Sequence, residues 1–212
     1  MGRNNHSGNR KKRIGLKRES SLGYYLIITD TEETEKNYFN GLREALPADI
    51  KENIVIKVAH TKTAHLIRKA KELRARESQF CQIWIVFDRD LVKNFDKIIE
   101  DAESSDMKVG WSNPCFEIWM AAYFGTMPTW SDSVECCREF GEIYRKHTGK
   151  EYAKNSGSVY KDLMKYGDED GAISLAKKKY VQAKEKNPLR SKQCPSTTVY
   201  CLVEEIRSKG RN

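Results

Sequence analysis

Carboxylate side chains follow three separate apolar segments of this chain, and they are the residues best suited to chemistry. The set consists of Asp30, Glu32, Glu35, Asp88, Asp90 and Glu117. Carboxylates that are brought together repel one another and are costly to desolvate, and a hard divalent cation such as Mg²⁺ or Mn²⁺ relieves that cost. Such an ion can hold a phosphodiester, lower the pKa of a water molecule and stabilise the leaving oxygen. The set therefore suits metal-dependent phosphoryl chemistry.

Each of these acids also has an ordinary structural explanation. Acids at a strand-to-helix turn often cap the helix, which applies to those after the first apolar segment and to Glu117. Asp88 and Asp90 are a more specific signal, because strand residues two apart face the same side if the strand continues to Asp90. Arg89 between them is a candidate counter-charge. The occurrence of acids at three strand-to-helix junctions favours the metal over capping alone.

Alternating strands and helices are expected to bring these acids together. Apolar, β-branched runs predict strands at 24–29, 53–58, 81–87 and 107–111. Apolar spacing predicts a helix that Thr31 or Thr34 caps and that runs to about Ala45, and further helices at 61–77, 94–102 and 115–124. This order predicts an α/β fold with a mainly parallel, four-stranded central sheet and helices on both faces. Sites in such sheets lie beyond the carboxyl ends of the strands, where the acids fall.

The remainder of the chain is expected to form a helical layer. Helices are predicted at 133–147, 158–166, 170–183 and 197–208, with a polar linker at 184–195. A length of 212 residues suits one domain. We therefore predict a basic, disordered N-terminal arm at 1–20 and a single domain at 21–212, with its core at 22–125 and a C-terminal helical layer at 126–208.

Positive charge is concentrated at two places. The net charge is +8, and residues 1–18 carry seven cations and no acid, so the rest of the chain is close to neutral. A basic arm suits a phosphate backbone, although a solvated tail explains it equally well. The candidate nucleic-acid-binding residues are Arg10, Lys11, Lys12 and Arg13 in the arm, and Lys177, Lys178, Lys179, Lys184, Lys186, Arg190 and Lys192 late in the chain.

Several functional classes lack their signatures. The chain has no apolar run of eighteen residues, no secretory signal pattern, no glycine-rich phosphate loop and no nucleophile elbow. Six cysteines form no CxxC pair and do not cluster with histidine, so zinc spacing is absent and a reducing cytoplasm is the expected location. The cysteines are Cys81, Cys115, Cys136, Cys137, Cys194 and Cys201.

Taken in order, four segments resemble the RloB family. They are residues 30–39, the Phe87-Asp88-Arg89-Asp90 turn, the block Ser112-Asn113-Pro114-Cys115-Phe116-Glu117-Ile118-Trp119, and residues 195–200. The resemblance spans roughly residues 22 to 208, and the Ser-Asn-Pro-Cys-Phe-Glu block is its most specific part. RloB-like proteins are bacterial and archaeal, occur near restriction and abortive-infection loci, often beside an ATPase partner, and look like Toprim-type proteins.

The resemblance implies a Mg²⁺- or Mn²⁺-dependent, Toprim-like nuclease acting on DNA or RNA in antiphage defence, with an ATPase partner and, by analogy with Toprim relatives, a homodimer. It implies metal ligation by Asp30, Asp88, Asp90 and Glu117 and catalytic roles for these four together with Glu32 and Glu35. One departure stands out: Asp30-Thr31 replaces the family's usual Glu-Gly. Two alternatives stay open, a non-catalytic binding subunit with a degenerate site and a small-molecule phosphoesterase.

The basic arm generates a first prediction. Deleting residues 1–20 should flatten the dependence of nucleic-acid affinity on salt, because every phosphate that the arm no longer neutralises takes roughly 0.9 off the slope of log K against log salt on duplex DNA. Binding titrations at several salt concentrations measure this slope. An unchanged slope would show that the arm is only a solvated tail.

Overall fold

The protein has an α/β fold built around one five-stranded sheet. The computed structural model describes residues 24–30, 33–77, 80–90 and 92–210; the basic arm, Thr31 and Glu32 lie outside them. The strand order is β2-β1-β3-β4-β5. The strands are β1 (Tyr24–Thr29), β2 (Ile54–Val58), β3 (Phe80–Asp88), β4 (Lys108–Asn113) and β5 (Ser196–Thr197).

The sheet has five strands and not the expected four, because β5 joins it beside β4. The first four strands are parallel, but β5 pairs antiparallel to β4, with Ser112 opposite Thr197 and Asn113 opposite Ser196. The hydroxyls of Ser112 and Thr197 hydrogen-bond at 3.0 Å. A two-residue strand has no periodicity that a sequence pattern could reveal, so sequence patterns divide this segment between a polar linker and a helix.

Both faces of the sheet are covered, which explains the continuous apolar strands. Tyr25 and Ile27 of β1 belong to one core cluster, and Leu26 and Ile28 belong to the other. This alternation is the period-2 geometry of a strand, with each set of side chains packed against a helical layer.

Nine α-helices occur in the described part of the chain. They are α1 (Thr34–Glu44), α2 (Ala48–Lys51), α3 (Leu66–Arg76), α4 (Phe95–Glu103), α5 (Glu117–Ala122), α6 (Ser133–Thr148), α7 (Val159–Tyr166), α8 (Glu169–Lys186) and α9 (Val199–Gly210). The predicted helices are confirmed within a few residues, except that α5 is shorter and α3 is preceded by a 3-10 turn. Sequence patterns missed α2. Within the described ranges, none of the helices combines the length and apolar character needed to cross a membrane.

The two helical layers are unequal. Helices α3 and α4 cover one face of the sheet, while α1 and α5 to α9 share the core on the other. A buried polar network links this larger layer: Tyr38 and Tyr123 hydroxyls bond at 2.7 Å, Tyr123 donates to Glu169, and Arg207 pairs with Glu169 at 2.6 Å. Buried polar groups are retained only when paired, and here the pairing fixes α1, which carries Glu35.

The packing of α1 against α7 generates a second prediction. A Cβ added at Gly41 would lie 2.5 Å from the Cβ of Tyr160, whereas one at Gly141 in α6 meets nothing within 4 Å. Gly41→Ala should therefore destabilise the protein by about 1–3 kcal/mol through overpacking. Gly141→Ala should stabilise it by about 0.5–1 kcal/mol, since alanine is the better helix former. Urea unfolding measures both, and equal effects would contradict the packing.

Candidate metal centre

A cleft of about 830 Å³ opens beyond the carboxyl ends of β1, β3 and β4. The register explains why acids gather there: Thr29 pairs with Val86 and Asp88 pairs with Ser112, so these three strands end at nearly the same level. The acids that line the cleft are Asp30, Glu33, Glu35, Asp88, Asp90 and Glu117. Of the predicted set, only Glu32 lies outside the described residues.

Asp88 occupies the centre of this group. Strand alternation places it on the same face as Trp84 and Val86, which is the face covered by α1 and α5. Burial raises the pKa of Asp88 well above its usual range, and the charges of Glu35, Glu117 and Asp30 raise it further. The backbone N–H of Phe116 donates to this carboxyl group and opposes the shift. The Oδ1 atom of Asp88 is buried and has no hydrogen-bond partner among the described residues.

Asp30 and Glu35 approach from the first strand-to-helix junction. The Thr63 hydroxyl donates to Asp30 Oδ2 at 3.0 Å and so orients that carboxylate from the turn before α3. Glu35 lies in the first turn of α1 and is only 3% exposed. Its depth is the result of α1 packing through Tyr38 and Phe39, since residues three and four positions along a helix share one face.

Glu117 is held from several sides. It is the first residue of α5 and is 1% exposed. Tyr152 donates to Glu117 Oε1 at 2.8 Å, and the Thr34 hydroxyl is 3.1 Å from the Tyr152 hydroxyl. The Lys154 ammonium is 3.7 Å from the same Glu117 oxygen. Burial alone would lower the pKa of Lys154, but Glu117 and Cys137 raise it, so its positive charge is retained.

The condition for Asp88 and Asp90 to share one strand face is not met. Strand β3 ends at Asp88, and Asp90 lies in an exposed turn. The cause is local: the Arg89 guanidinium donates to the carbonyls of Asp90 and Val92 and folds the chain back on itself. Asp90 still lines the cleft, and its Oδ1 accepts a hydrogen bond from Ser133 at 2.6 Å. Asp88 therefore lines the cleft from the end of a strand, whereas Asp90 lines it from a turn.

The late basic residues lie on another part of the surface. They fall on α8 and the turn that follows it, and the cleft lining includes none of them. Arg190 pairs with Glu103 at 2.9 Å, and Lys177 lies 4.0 Å from Glu204, so two of these cations already have carboxylate partners. The arm residues predicted to bind nucleic acid lie outside the described residues.

Three lysines that sequence reasoning did not select line the cleft itself. They are Lys62, Lys93 and Lys154, and all three are exposed. The cleft thus has buried acids at its base and cations at its rim. An acidic base attracts a metal ion, while a cationic rim attracts an anion such as a phosphate. The cationic rim cannot be predicted from the sequence positions of the lysines, because the three come from separate loops.

The tightest group of donor atoms in the described part of the chain is Cys115, Glu117 and Cys137. One ligand atom from each lies within 4.8 Å of the others, and the group could hold a metal ion. No three of the predicted carboxylates meet within that distance there. The cysteine side chains line the same cleft. The sequence lacks zinc spacing, but the fold brings together two cysteines that are 22 residues apart.

The two cysteines are in contact and differ in acidity. Their Sγ atoms are 4.0 Å apart. Hydrogen bonds to Cys136 and Cys137, together with burial, raise the pKa of the Cys115 thiol. The hydrogen bond from Cys115 lowers the pKa of the Cys137 thiol, and Lys154 acts in the same direction. Cys137 is thus the member of the pair that more readily becomes a thiolate.

Helix α6 and the loop after it supply the side chains around Glu117 that the sequence patterns did not identify. Asp132 caps α6 by accepting from the Glu135 backbone N–H at 2.8 Å, which fixes the helix start near the cleft. Gly149 ends α6 with a left-handed conformation, φ 72°. The chain then returns so that the Tyr152 ring packs 4.7 Å from that of Phe140. The capping residues can be recognised in the sequence, but the direction that the loop takes after the helix cannot.

Comparison with known proteins identifies the family. The family model for RloB-like proteins matches residues 25–206, which is most of the chain. The chain belongs to the RloB-like family. No curated protein and no solved structure matches it. The predicted RloB resemblance is confirmed by this match. The match includes every described acid of the cleft, and the roles of these residues stay predictions.

The donor atoms at the base of the cleft are of a type that suits a divalent cation. Asp88 Oδ1 is buried without a hydrogen-bond partner among the described residues, and the pKa of its carboxyl group is raised by neighbouring acids. Both features express the same cost, an acceptor removed from water without a compensating positive charge. The oxygen donors of Asp30, Glu35 and Glu117 are the type that hard divalent cations prefer.

Asp88 generates a third prediction. A carboxyl group whose pKa is raised in the folded state stabilises the fold at low pH and loses that contribution as pH rises through the folded pKa. In EDTA, Asp88→Asn should therefore raise Tm at pH 8 and flatten the decline of Tm between pH 5 and pH 8, because burial and the neighbouring acids raise the pKa of the carboxyl group that is removed.

Calorimetry in EDTA across this pH range measures the effect. The control is Asp101→Asn on the exposed surface of α4, where the carboxylate pairs with Lys97. It should leave both Tm and its pH dependence nearly unchanged. An Asp88→Asn protein less stable than wild type at pH 8 would contradict the proposed charge repulsion.

Proposed function

We propose that this RloB-like protein is a metal-dependent nuclease that cleaves phosphodiesters of DNA or RNA, with Mg²⁺ or Mn²⁺ as its cofactor and a Toprim-like arrangement of acids. The observation that carries the proposal is the convergence of Asp30, Glu35, Asp88 and Glu117 on one cleft, with the pKa of Asp88 raised by the other three. A cluster of this kind destabilises the fold unless its charges are neutralised, and a bound cation neutralises them most directly.

The residues divide by position. Asp88, Asp30 and Glu117 supply oxygen donors around the base of the cleft, and Asp90 supplies another at its exposed edge. A bound divalent cation there would polarise the phosphodiester and lower the pKa of a water molecule. The tyrosine hydroxyl on Glu117 and the threonine hydroxyl on Asp30 orient these carboxylates, as outer partners of metal ligands commonly do.

The rim supports a polyanionic substrate. Lys62 and Lys93 stand at the mouth of the cleft, exposed, and can attract a phosphate without displacing the acids below. A general base must come from a carboxylate not committed to the cation. Glu35 is one candidate in the described residues, and Glu32 is a second that lies outside them. The basic arm adds a salt-dependent attraction to nucleic acid.

A second candidate is a binding subunit whose site no longer cleaves, and two observations favour it. Asp30 stands where the family usually has glutamate, so its carboxylate is one methylene shorter. The Lys154 ammonium also lies 3.7 Å from Glu117 and partly neutralises it, as a metal ion would. Such a subunit would bind nucleic acid or the ATPase partner. The ATPase partner, the homodimer, the cytoplasmic location and the role in antiphage defence belong to the proposal in either form.

One experiment separates the two candidates. Purified protein is incubated with single-stranded DNA, duplex DNA and tRNA in Mg²⁺, Mn²⁺ or EDTA. Wild type should cleave at least one substrate in metal and none in EDTA, while Asp88→Asn and Asp88→Ala/Asp90→Ala should lose more than about 100-fold, the upper cost of losing an outer-shell partner.

The control for this assay is Asp101→Asn, which removes one acid from the surface of α4 and should cleave like wild type. Binding without cleavage in any metal would support the non-catalytic subunit. Cleavage that survives Asp88→Ala/Asp90→Ala would show that this cleft is not the nuclease site.

A further inference from the structure

Cys115, Glu117 and Cys137 have the spacing of a tetrahedral metal site. Two thiolates bound to one Zn²⁺ at about 2.3 Å each would be about 3.8 Å apart in a tetrahedron. The two Sγ atoms are 4.0 Å apart, and the Glu117 oxygen completes a group within 4.8 Å. The ligand atoms are therefore near their bound positions without any movement of the backbone.

The donor type differs from that of the rest of the cleft. Two sulfurs and one carboxylate suit a borderline or soft cation such as Zn²⁺, whereas Mg²⁺ prefers oxygen and keeps much of its water. Both cysteines are free thiols. Three protein ligands leave a fourth position open, and because all three residues line the cleft, that position is accessible to a small ligand there.

We propose that Cys115, Glu117 and Cys137 form a second cation site, selective for Zn²⁺, which shares Glu117 with the oxygen-lined site. Binding releases the thiol protons to solvent and involves no redox step. Because one carboxylate cannot serve both ions fully, Zn²⁺ in this site opposes Mg²⁺ or Mn²⁺ in the other. The Zn²⁺ must also displace the Lys154 ammonium from the neighbourhood of Glu117.

The Zn²⁺ claim is independent of the proposed nuclease activity, and only the competition between ions rests on it. Metal binding is therefore tested with Co²⁺ alone, which replaces Zn²⁺ and gives thiolate-to-metal charge-transfer absorption when sulfur is bound. Titrations are made on the full chain with a phosphine reductant present, so that no disulfide can form. Zn²⁺ should abolish the Co²⁺ absorption, and a large excess of Mg²⁺ should not.

Serine variants assign the ligands. Cys115→Ser and Cys137→Ser should each lose the charge-transfer band, and Glu117→Gln should weaken Co²⁺ binding by at least about tenfold. The matched control is Cys201→Ser on α9, a partly buried cysteine in a different cavity, which should bind Co²⁺ as wild type does. Absence of the band in wild type, its persistence in Cys137→Ser, or its loss in Cys201→Ser would overturn the proposal.

A measurement on wild type avoids the risk that a variant fails to fold. Iodoacetamide should alkylate Cys137 in metal-free protein, and Zn²⁺ should slow this at least about tenfold while leaving Cys201 unaffected, as read by peptide mass spectrometry. Equal rates with and without Zn²⁺ would refute the site. If Mn²⁺-dependent cleavage is intact while Co²⁺ shows no sulfur ligation, only the second site fails; the reverse result removes the nuclease alone.

Discussion

Electrostatic repulsion among buried carboxylates is the constraint on which the rest of this structure depends. Asp88 leaves the sheet beneath α1 and α5, and each of these helices brings a further acid to it. The Lys154 ammonium lies 3.7 Å from one of these acids, Glu117, and partly offsets its charge. The fold tolerates this cost because two large apolar cores and a paired polar network stabilise the helices that carry the acids.

The surroundings of the acids show how a shared cleft can distinguish ligands. Its base offers oxygen donors, one wall adds two thiols, and its rim carries exposed lysines. Glu117 lies where the oxygen and sulfur donors meet, and Tyr152 fixes its orientation. In the function proposed for this cleft, a hard cation, a thiophilic cation and a phosphate would each bind at a different part of it, and the two cations would compete for Glu117.

Much of the fold could be predicted because it rests on local patterns. The apolar run of β1 and the helical spacing of α1 specify a strand buried on both faces followed by an amphipathic helix, and both are present at the expected residues. Prediction from sequence patterns failed where the structure depends on contacts between residues far apart in the chain. Strand β5 is two residues long and exists only because it meets β4.

The alternation of strands and helices can be predicted from local patterns in the chain, and so can the position of the acids after β1, β3 and β4 at one edge of the sheet, because parallel strands connected by crossovers end together. The burial of each acid, the lysines of the rim and the meeting of Cys137 with Cys115 and Glu117 are properties of the folded molecule alone. Those contacts depend on where α6 and the loop carrying Tyr152 dock, and docking is set by three-dimensional packing that no spacing along the chain records.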